Sequence, residues 1–335
     1  MNQQERLNYL VESFKEDSGE YRNLQVGDSE EEKRTVLRSL MNIRMPGSIS
    51  ETVLKIQNEF LTEDAKEKGI VSLDSIPTVK EQYGSSHPFA DKISVWQGDI
   101  TRLEVGAIVN AANCQMLGCF VPCHRCIDNA IHSAAGIQLR NECDAIMKNK
   151  KMQYGRHYQE PTGTATLTHA YNLPCAYVIH TVGPIVGYKL TDKLRQDLRN
   201  CYESVLKCAL EQGIRSIAFC CISTGEFHFP NDEAAEIAVD TVTAFLKEHG
   251  EEFDRVIFNV FKEQDKELSK LKSQASQGQV SDLLSQVKTV EGIKVLASEV
   301  TADDMNSLRE MADLFRDKMG SGVVVLGAKG ENSVN

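Results

Sequence analysis

Two segments near the N-terminus place apolar side chains at the i, i+3, i+4, i+7 spacing of an amphipathic helix. The apolar positions are Leu37, Leu40, Met41 and Ile43 in the first segment and Leu54, Ile56, Phe60 and Leu61 in the second. Each segment follows a Ser-x-x-Glu sequence, Ser29–Glu32 or Ser48–Glu51, which is typical of a capping box. The pattern predicts a helical N-terminal extension over residues 1–88, which ends at the turn-forming sequence G-S-S-H-P.

Between residues 89 and 263 the pattern changes to short β-rich runs that alternate with long helical ones. The β-rich runs are I-S-V-W-Q-G-D-I, A-I-V-N-A-A-N, T-G-T-A-T-L-T, Y-V-I-H-T-V-G, S-I-A-F-C-C-I-S-T and R-V-I-F-N-V-F. The helical patterns cover Ile127–Met147, Thr191–Glu211 and Asn231–Lys247. This alternation predicts an α/β domain with a largely parallel sheet that helices cover on both faces.

The last part of the chain has a different composition. Residues 264–290 are charged and rich in Gln and Ser, which predicts a helical connector. Residues 291–335 have the pattern of a strand, a Thr-capped amphipathic helix and a second strand, which predicts a truncated βαβ tail, a small α+β unit. A unit of this size cannot bury both faces of its sheet alone, so we expect it to need further strands or the main domain.

Composition and charge exclude several classes of protein. The net charge is -11, so the overall field does not favour binding to nucleic acid or to anionic lipid. No apolar run approaches the roughly 20 residues of a membrane span, and the N-terminus lacks the apolar region of a signal peptide. We therefore expect a soluble, cytoplasmic protein. All ten cysteines lie between Cys114 and Cys221 and are expected to be thiols in a reducing compartment.

Three candidate metal ligands lie within eight residues, shortly after the run that ends at Asn113. Cys119, His124 and Cys126 form the pattern C-x4-H-x-C, and Cys123 is a candidate fourth ligand. Three protein ligands are typical of catalytic zinc sites, which leave one position open for water or substrate. The alternative interpretation is a loop cysteine, a surface histidine and a buried helix cysteine, and spacing alone does not choose between the two.

A carboxylate, Asp128, follows the candidate ligands directly. Pro122 suits a helix start, so Cys126 and Asp128 are expected in a first helical turn, where the helix dipole favours thiolates and other anions. His132 lies four residues after Asp128 on the same predicted helix face, and His180 lies inside a predicted strand. We interpret both histidines as buried, hydrogen-bonded packing residues rather than as metal ligands.

Polar residues also end three of the predicted strands, where ligands bind in parallel sheets. Asn110 and Asn113 offer amide donors and acceptors to sugar hydroxyls, or they cap a turn. Gly225 lies between a strand and a helix that is predicted to start near Asn231, so its loop either cradles a pyrophosphate or is a plain connection. Asp99 can accept a hydrogen bond from an exocyclic amine such as that of adenine, or it can cap a turn.

Together these motifs resemble those of macrodomains, and in particular of the zinc-dependent macrodomain protein-ADP-ribose hydrolases of bacteria and fungi. The matching sequences are G-D-I at Gly98, N-A-A-N at Asn110, the segment Gly118–Gly136, H-T-V-G-P at His180 and S-T-G-E-F-H-F-P at Ser223. The resemblance covers about residues 8–267. It implies a three-layer α/β/α macrodomain with a mixed, largely parallel sheet at residues 89–263.

The resemblance also implies a reaction and a set of site residues. The reaction is hydrolysis at the ribose C1'' bond that joins mono-ADP-ribose to a protein side chain. Cys119, His124 and Cys126 would bind Zn²⁺, and Asp128 with Asn113 would be catalytic. The implied ADP-ribose contacts are Asp99 and Ile100 at the adenine, Asn113 at the distal ribose, Gly225 and Phe227 at the diphosphate and ribose, and the neighbouring Asn110, Ala111, Ser223, Thr224 and Glu226.

Similar enzymes act on a lipoyl-carrier protein that a partner sirtuin modifies, so the resemblance implies this substrate and a sirtuin-type ADP-ribosyltransferase in the same pathway. Two residues depart from the family pattern. Glu226 replaces an apolar residue, and a carboxylate that faced the phosphates would cost about 1–3 kcal/mol, so we expect Glu226→Val to tighten ADP-ribose binding. Cys123 is an extra thiol, and it would weaken the case for catalysis if it closed the zinc site.

Residues 267–328 resemble the late connecting helix and the C-terminal domain of alanyl-tRNA synthetase, through K-V-L-A-S-E-V, T-A-D-D-M-N-S-L-R and K-M-G-S-G-V-V-V-L. The synthetase core is absent, so aminoacylation is not inferred and a fusion is indicated. The acidic charge disfavours an RNA-associated module. The main alternative to a hydrolase is a non-catalytic reader that binds ADP-ribose on proteins, and metal content with a turnover assay distinguishes the two.

Overall fold

The computed structural model describes residues 1–260 in full and the backbone of three strands, at 288–290, 293–299 and 323–327. The helices in this part of the chain are α1 (Gln3–Ser18), α2 (Glu30–Ile43), α3 (Glu51–Glu67), α4 (Val79–Tyr83), α5 (Ile127–Ala135), α6 (Ile137–Tyr154), α7 (Asp192–Glu211) and α8 (Asn231–His249). None of these described helices is long and apolar enough to span a membrane.

The described strands form three sheets. They are β1 (Val71–Ser72), β2 (Ile93–Gln97), β3 (Leu103–Glu104), β4 (Ala107–Ala112), β5 (Ala165–His169), β6 (Tyr177–Val182), β7 (Ser216–Phe219), β8 (Arg255–Val260), β9 (Lys288–Val290), β10 (Ile293–Glu299) and β11 (Val323–Gly327). Short 3-10 helices lie at Leu73–Ser75, Ile100–Arg102 and Gly250–Glu252. The strands β1 and β3 pair as a small separate ladder.

The central sheet has six strands in the order β2-β8-β7-β4-β6-β5. All neighbouring pairs are parallel except β5 and β6, which are antiparallel. The sheet is therefore mixed and largely parallel between layers of helices, which confirms the predicted α/β/α architecture. Because β2, β4 and β7 run in the same direction, the polar residues that follow them meet at one edge of the sheet.

The N-terminal helices α1, α2 and α3 form a bundle with an apolar core of its own. Its buried residues are Leu7, Leu10, Val11, Phe14, Leu37, Leu40, Met41, Val53, Ile56, Phe60, Leu61 and, from α6, Ile137. The predicted apolar faces of α2 and α3 supply much of this core. Because Ile137 belongs to the α/β domain, the bundle packs against that domain, whose main core is a separate cluster of buried residues.

One of the two predicted capping boxes is half formed and the other is wrong. Ser29 caps α2, and its hydroxyl accepts a hydrogen bond from Glu32 N at 3.2 Å, but the Glu32 carboxylate accepts from Gly27 N instead of returning to the cap. In α3 the cap is Ser50 rather than Ser48, and Ser50 accepts from Val53 N. The residue three positions after Ser50 is Val53, so α3 has a serine cap but no capping box.

The predicted helix Ile127–Met147 is divided into α5 and α6 at Gly136. This glycine has a φ of +93°, a backbone conformation that residues with a Cβ rarely adopt. A Cβ at this position would lie 2.7 Å from Gln57 Nε2 of α3, and Gln57 Oε1 accepts a hydrogen bond from Ile137 N at 3.2 Å. The break in the helix therefore lets the N-terminal bundle approach the α/β domain closely.

The C-terminal strands form a three-stranded sheet in the order β11-β10-β9. The strands β10 and β11 are parallel and fall in the two runs that the sequence predicts as strands, whereas β9 is antiparallel to β10 and lies at the end of the predicted helical connector. The remainder of the predicted connector and the predicted tail helix lie outside the described residues. The resemblance of this region to alanyl-tRNA synthetase stays a prediction.

Candidate functional site

The loop between β4 and α5 brings the three predicted metal ligands together. The sulfur atoms of Cys119 and Cys126 and a ring nitrogen of His124 all lie within 4.8 Å of one another. Atoms that bind one zinc ion at the usual distances of about 2.0–2.3 Å lie less than about 4.6 Å apart, so the three side chains need at most a small movement to share an ion. Cys126 is also the N-cap of α5, and its sulfur accepts a hydrogen bond from Asn129 N at 3.4 Å.

Cys123 points away from this cluster. Its φ is +50°, and its sulfur lies 3.3 Å from Ser39 Oγ and 3.5 Å from the Thr35 carbonyl oxygen, both on α2. The preceding Pro122 lies in the same turn, so its predicted place at a helix start is wrong, because α5 begins only at Ile127. Because Cys123 faces α2, the described part of the chain offers three ligands at this site. Three protein ligands leave one coordination position open for water or substrate.

The donor set of two sulfurs and an imidazole suits Zn²⁺. His124 Nδ1 lies 3.7 Å from Cys119 Sγ, so this nitrogen faces the cluster. Burial, with the nearby Cys119 sulfur, raises the pKa of the Cys126 thiol to about 12. A bound cation reverses this preference because it stabilises the thiolate, which is the form that coordinates metal. The residues present therefore fit the implied ion.

Asp128 lies in the first turn of α5, two residues after Cys126, and only 5% of it is exposed. Asn110 Nδ2 donates a hydrogen bond to Asp128 Oδ1 at 2.8 Å, and Asn113 Nδ2 donates to Oδ2 at 3.4 Å. Burial raises the pKa of Asp128 to about 6, and the two amide donors oppose this shift because they stabilise the charged form. The two residues predicted as catalytic, Asp128 and Asn113, are thus in contact.

The side chain of Asn110 lies inside the fold. It is fully buried in β4, and its amide nitrogen lies between Asp128 and His180 Nδ1, which is 3.0 Å away. Because the Asn110 side chain has no exposed surface, its contacts in this structure are with Asp128 and His180, and its predicted contact with ADP-ribose stays a prediction. Asn113 is partly exposed, and its amide also donates to Gly118 O at 3.1 Å.

A second group of potential ligands, His132, Cys143 and His180, lies buried behind Asp128. Both ring nitrogens of His180 already have partners. Nδ1 lies 3.0 Å from Asn110 Nδ2, and Nε2 lies 2.9 Å from Thr168 Oγ1. Burial lowers the pKa of His180 to about 3 and holds the pKa of His132 well below its usual value. We therefore interpret this group as an uncharged packing layer and not as a second metal site. His180 is buried and hydrogen-bonded as predicted, whereas His132 is buried but neither of its ring nitrogens has a hydrogen-bond partner among the described residues, so that part of its prediction is wrong.

The helix α2 holds the ligand loop in place, a role that the sequence pattern does not predict. Arg38 donates to Asn129 Oδ1 at 2.7 Å, and Asn42 Oδ1 accepts a hydrogen bond from Cys123 N at 2.9 Å. Polar residues on an amphipathic helix are normally solvated, so neither side chain stands out. The signal in the sequence is the position of Asn42 inside the apolar run L-M-N-I, where it is 1% exposed.

Arg140 on α6 joins the ligand loop to α2 from the other side. Its guanidinium is buried, lies over the Phe120 ring at 4.2 Å from the ring centre, and donates to four backbone carbonyls within 3.1 Å. These carbonyls belong to Leu117 in the loop and to Met41, Asn42 and Arg44 at the end of α2. Burial lowers the pKa of Arg140 to about 10, a value at which it is still charged at neutral pH.

The loop after β7 carries the predicted diphosphate contacts. Gly225 and Glu226 are exposed, and Thr224 and Phe227 are partly exposed. Ser223 is buried with a φ of +65°, and its hydroxyl has no hydrogen-bond partner among the described residues. A buried hydroxyl of this kind is typical of a position that meets a ligand or a water. Beside this loop, a cleft of about 390 Å³ including its open mouth extends between α8 and the ends of β7 and β8.

The predicted adenine contacts lie at the end of β2. Asp99 Oδ1 accepts hydrogen bonds from Thr101 N at 3.0 Å and from Thr101 Oγ1 at 2.7 Å, so this residue is a cap, the alternative that the sequence left open. Its side chain is also partly exposed. Ile100 is 1% exposed and packs in the core, which leaves only its backbone for a ligand. Ala111 is half-buried in β4.

Comparisons with known proteins identify the family of this chain. The Macro domain family matches residues 109–238. A protein-ADP-ribose hydrolase of Treponema medium is 46% identical over 268 residues, which are 80% of this chain and 98% of the relative. The chain belongs to the macrodomain family. A second protein-ADP-ribose hydrolase, from Staphylococcus aureus strain MRSA252, is 43% identical over 79% of this macrodomain protein and 94% of the relative.

A solved macrodomain from Trypanosoma brucei, in complex with ADP-ribose, has a TM-score of 0.53 and 31% sequence identity to this macrodomain protein. The match covers 70% of this chain and 94% of the T. brucei chain. The predicted macrodomain fold is therefore confirmed. The family match at residues 109–238 includes the ligand loop, Asp128 and the loop after β7, but not the N-terminal helices, of which α2 contacts the ligand loop.

Proposed function

We propose that this macrodomain protein is a zinc-dependent hydrolase that removes mono-ADP-ribose from modified protein side chains. The proposal depends on one observation: Asp128 lies in the helical turn that begins at Cys126, and Cys126 is one of three candidate ligands gathered within 4.8 Å. Two relatives named protein-ADP-ribose hydrolase and a related domain that binds ADP-ribose support the same substrate.

Cys119, His124 and Cys126 would hold the ion, and the direction of Cys123 leaves a coordination position for a group from outside the protein. Zn²⁺ bound at these residues supplies a Lewis acid, which lowers the pKa of water or orients the ribose hydroxyls. The convergence of two half-buried thiols and an imidazole beside a carboxylate supports this assignment.

Asp128 and Asn113 act on the distal ribose in this proposal. The amide of Asn113 is partly exposed and offers hydrogen bonds to a ribose hydroxyl, while Asp128 orients the attacking water or accepts its proton. Water adds at C1'', the bond from C1'' to the protein side chain breaks, and free ADP-ribose and the unmodified side chain are released. Asn110 keeps Asp128 in place through the 2.8 Å hydrogen bond.

The remaining ADP-ribose contacts follow from the strand ends. The partly exposed carboxylate of Asp99 would meet the adenine amine, and the loop from Ser223 to Phe227 would meet the diphosphate and ribose. We propose a lipoyl-carrier protein, modified by a sirtuin-type ADP-ribosyltransferase, as the protein substrate. The sequence resemblance supports this choice, and a comparison of release rates from modified carrier protein and from other modified proteins tests it.

The central experiment combines metal analysis with a de-ADP-ribosylation time course on a modified carrier protein. Wild type is expected to contain stoichiometric zinc and to release ADP-ribose. Chelation, Cys126→Ala and Asp128→Asn are each expected to abolish release, while ADP-ribose binding measured by calorimetry survives in part. Unchanged release after verified zinc removal would contradict the zinc dependence. Binding without release by the zinc-loaded wild type would instead identify a non-catalytic reader.

A further inference from the structure

Glu226 lies opposite the outer ring nitrogen of a candidate zinc ligand. Its Oε1 is 3.7 Å from His124 Nε2, whereas His124 Nδ1 faces Cys119 Sγ. The imidazole is therefore placed between the sulfur cluster on one side and a carboxylate on the other. We propose that Glu226 is a positioning residue for metal binding, which accepts the Nε2–H of His124 and so directs Nδ1 toward the ion. This inference rests on the proposed zinc site and adds a residue from a different loop to it.

The chemistry of histidine ligands explains why a carboxylate at this point matters. An imidazole that coordinates a metal through one nitrogen carries its proton on the other, and a carboxylate acceptor fixes that tautomer and makes the ring a stronger donor to the metal. A charge-assisted hydrogen bond has a length of about 2.7–2.9 Å, so the pair needs only a small side-chain movement to form one.

The surroundings permit this movement. The His124 and Glu226 side chains are 32% and 68% exposed, so neither is held in a packed core. Among the described residues, the ring nitrogens of His124 lie near Cys119 Sγ and Glu226 Oε1. The negative charge of Glu226 also favours a divalent cation beside two sulfur ligands. The sequence predicts only that Glu226 repels the phosphates, and this prediction does not include the contact with His124.

The position of Glu226 gives the contact a second consequence. It lies between Gly225 and Phe227, in the loop proposed to meet the diphosphate, while His124 belongs to the metal loop. One side-chain contact thus joins the two loops. If Glu226 is drawn to a metal-bound His124, its carboxylate is held away from the phosphates, and zinc and ADP-ribose favour the same loop arrangement, which makes their binding reciprocal.

The test measures zinc affinity of the full chain by competition with a chromophoric chelator. Glu226→Val is expected to weaken zinc binding by about 10- to 100-fold, as is usual for loss of an outer partner of a metal ligand. Glu226→Gln keeps an acceptor oxygen and should lose less. Asp232→Asn is the matched control, because it removes one carboxylate from an exposed residue at the start of α8, and its zinc affinity should equal that of wild type.

Two further measurements separate positioning from a general loss of structure. The zinc-free forms of all four proteins should unfold at the same urea concentration, because Glu226 is exposed. With Co²⁺ in place of zinc, Glu226→Val should shift the ligand-field absorption bands, whereas Asp232→Asn should not. Equal zinc affinities and equal cobalt spectra for wild type and Glu226→Val overturn this inference and leave the proposed hydrolase intact. Failure of the wild type to bind zinc overturns the zinc site and this inference together.

Discussion

Asn110 of β4 donates a 2.8 Å hydrogen bond to the Asp128 carboxylate at the start of α5. Both residues are buried, so the carboxylate is held by a residue of the central sheet. The same amide lies 3.0 Å from His180 Nδ1 in the neighbouring strand β6. The proposed catalytic carboxylate is therefore placed by residues deep in the fold, which makes its geometry sensitive to changes that touch no ligand.

The first prediction concerns this hydrogen bond. Asn110→Ala should lower kcat while KM changes little, and it should reduce the free energy of unfolding by about 1–3 kcal/mol because a buried acceptor loses its donor. Asn172→Ala is the control, since it removes a 2.8 Å hydrogen bond to Ala135 O at the other end of α5. Turnover assays and urea unfolding measure both effects. An equal loss of kcat in the two variants would show that Asn110 acts only through stability.

The second prediction distinguishes the cysteines of the ligand loop. Cys126→Ser should lose stoichiometric zinc, because its sulfur belongs to the cluster. Cys123→Ser makes the same chemical change at a residue whose sulfur contacts α2, and it should retain the zinc content and turnover of wild type. Metal analysis after dialysis against a weak chelator gives the answer. Zinc loss in Cys123→Ser would mean that the site is closed by a fourth sulfur.

The third prediction concerns stability at acid pH. The pKa of His180 falls from an ordinary value of about 6.5 to about 3 in the folded protein because the ring is buried. Between these values the unfolded state binds one more proton, so the free energy of unfolding decreases as the pH falls below about 6.5, by about 1.4 kcal/mol per pH unit for this group. His180→Asn should lose this part of the slope.

Urea unfolding of wild type and His180→Asn at several pH values between 4 and 7 measures the slope. His157→Asn changes an exposed histidine and should keep the slope of wild type. If wild type, His180→Asn and His157→Asn all have the same pH dependence, the prediction is wrong. Either His180 is then protonated in the folded state, or another group titrates in its place in the variant.

The fourth prediction tests the role of α2. Arg38→Ala removes two hydrogen bonds to Asn129 Oδ1, at 2.7 and 3.2 Å, and one to the His124 carbonyl oxygen at 3.4 Å. The backbone N–H of Asn129 in turn donates to the Cys126 sulfur. Loss of these hydrogen bonds from a charged donor is expected to weaken zinc binding by at least about tenfold. Arg34→Ala lies one turn earlier and breaks contacts with Asp64 and Glu30, so it should reduce stability without changing zinc affinity. A weaker site in both variants would point to the bundle as a whole.

The fifth prediction separates the two effects of Glu226. In the zinc-free protein, Glu226→Val should tighten ADP-ribose binding by at most about fivefold, because an exposed carboxylate near a phosphate costs about 1 kcal/mol in water-like surroundings. Because the Glu226 carboxylate lies beside His124, we expect its repulsion of the phosphates to be near the low end of the range of about 1–3 kcal/mol that the sequence indicates. Calorimetry on zinc-free wild type and Glu226→Val measures it, and equal affinities remove the argument for repulsion.

Much of the fold was predictable because its periodicities are strong. The alternation of β-rich and helical runs gives the parallel sheet. The spacing of Cys119, His124 and Cys126 makes them candidate ligands because a single loop carries all three, although the spacing alone does not choose between a metal site and three unrelated residues. The sequence pattern does not predict the helix break at Gly136, because the apolar pattern continues across this residue. Only its φ of +93° reveals the turn. The pattern records which residues are apolar, not where the backbone changes direction.

Several site details depend on side-chain direction, which no pattern encodes. Asn110 and Asn113 belong to one N-A-A-N motif, yet the first is buried against Asp128 and the second is partly exposed, because their positions in and after β4 differ. The direction of Cys123 depends on α2, which lies more than 80 residues earlier in the chain. Glu226 meets His124 only through the folded arrangement of two loops.

The buried guanidinium of Arg140 has a consequence for the size of the working unit. A fragment that started at residue 89 would keep the whole six-stranded sheet but would lose the carbonyls of Met41, Asn42 and Arg44 that receive this charge. The Arg140 guanidinium would then face solvent, and the neighbouring ligand loop would lose its contacts with α2. The smallest portion expected to keep the proposed metal site is accordingly larger than residues 109–238, which the family match covers, and crystallisation or inhibitor screening should keep the leading helices attached.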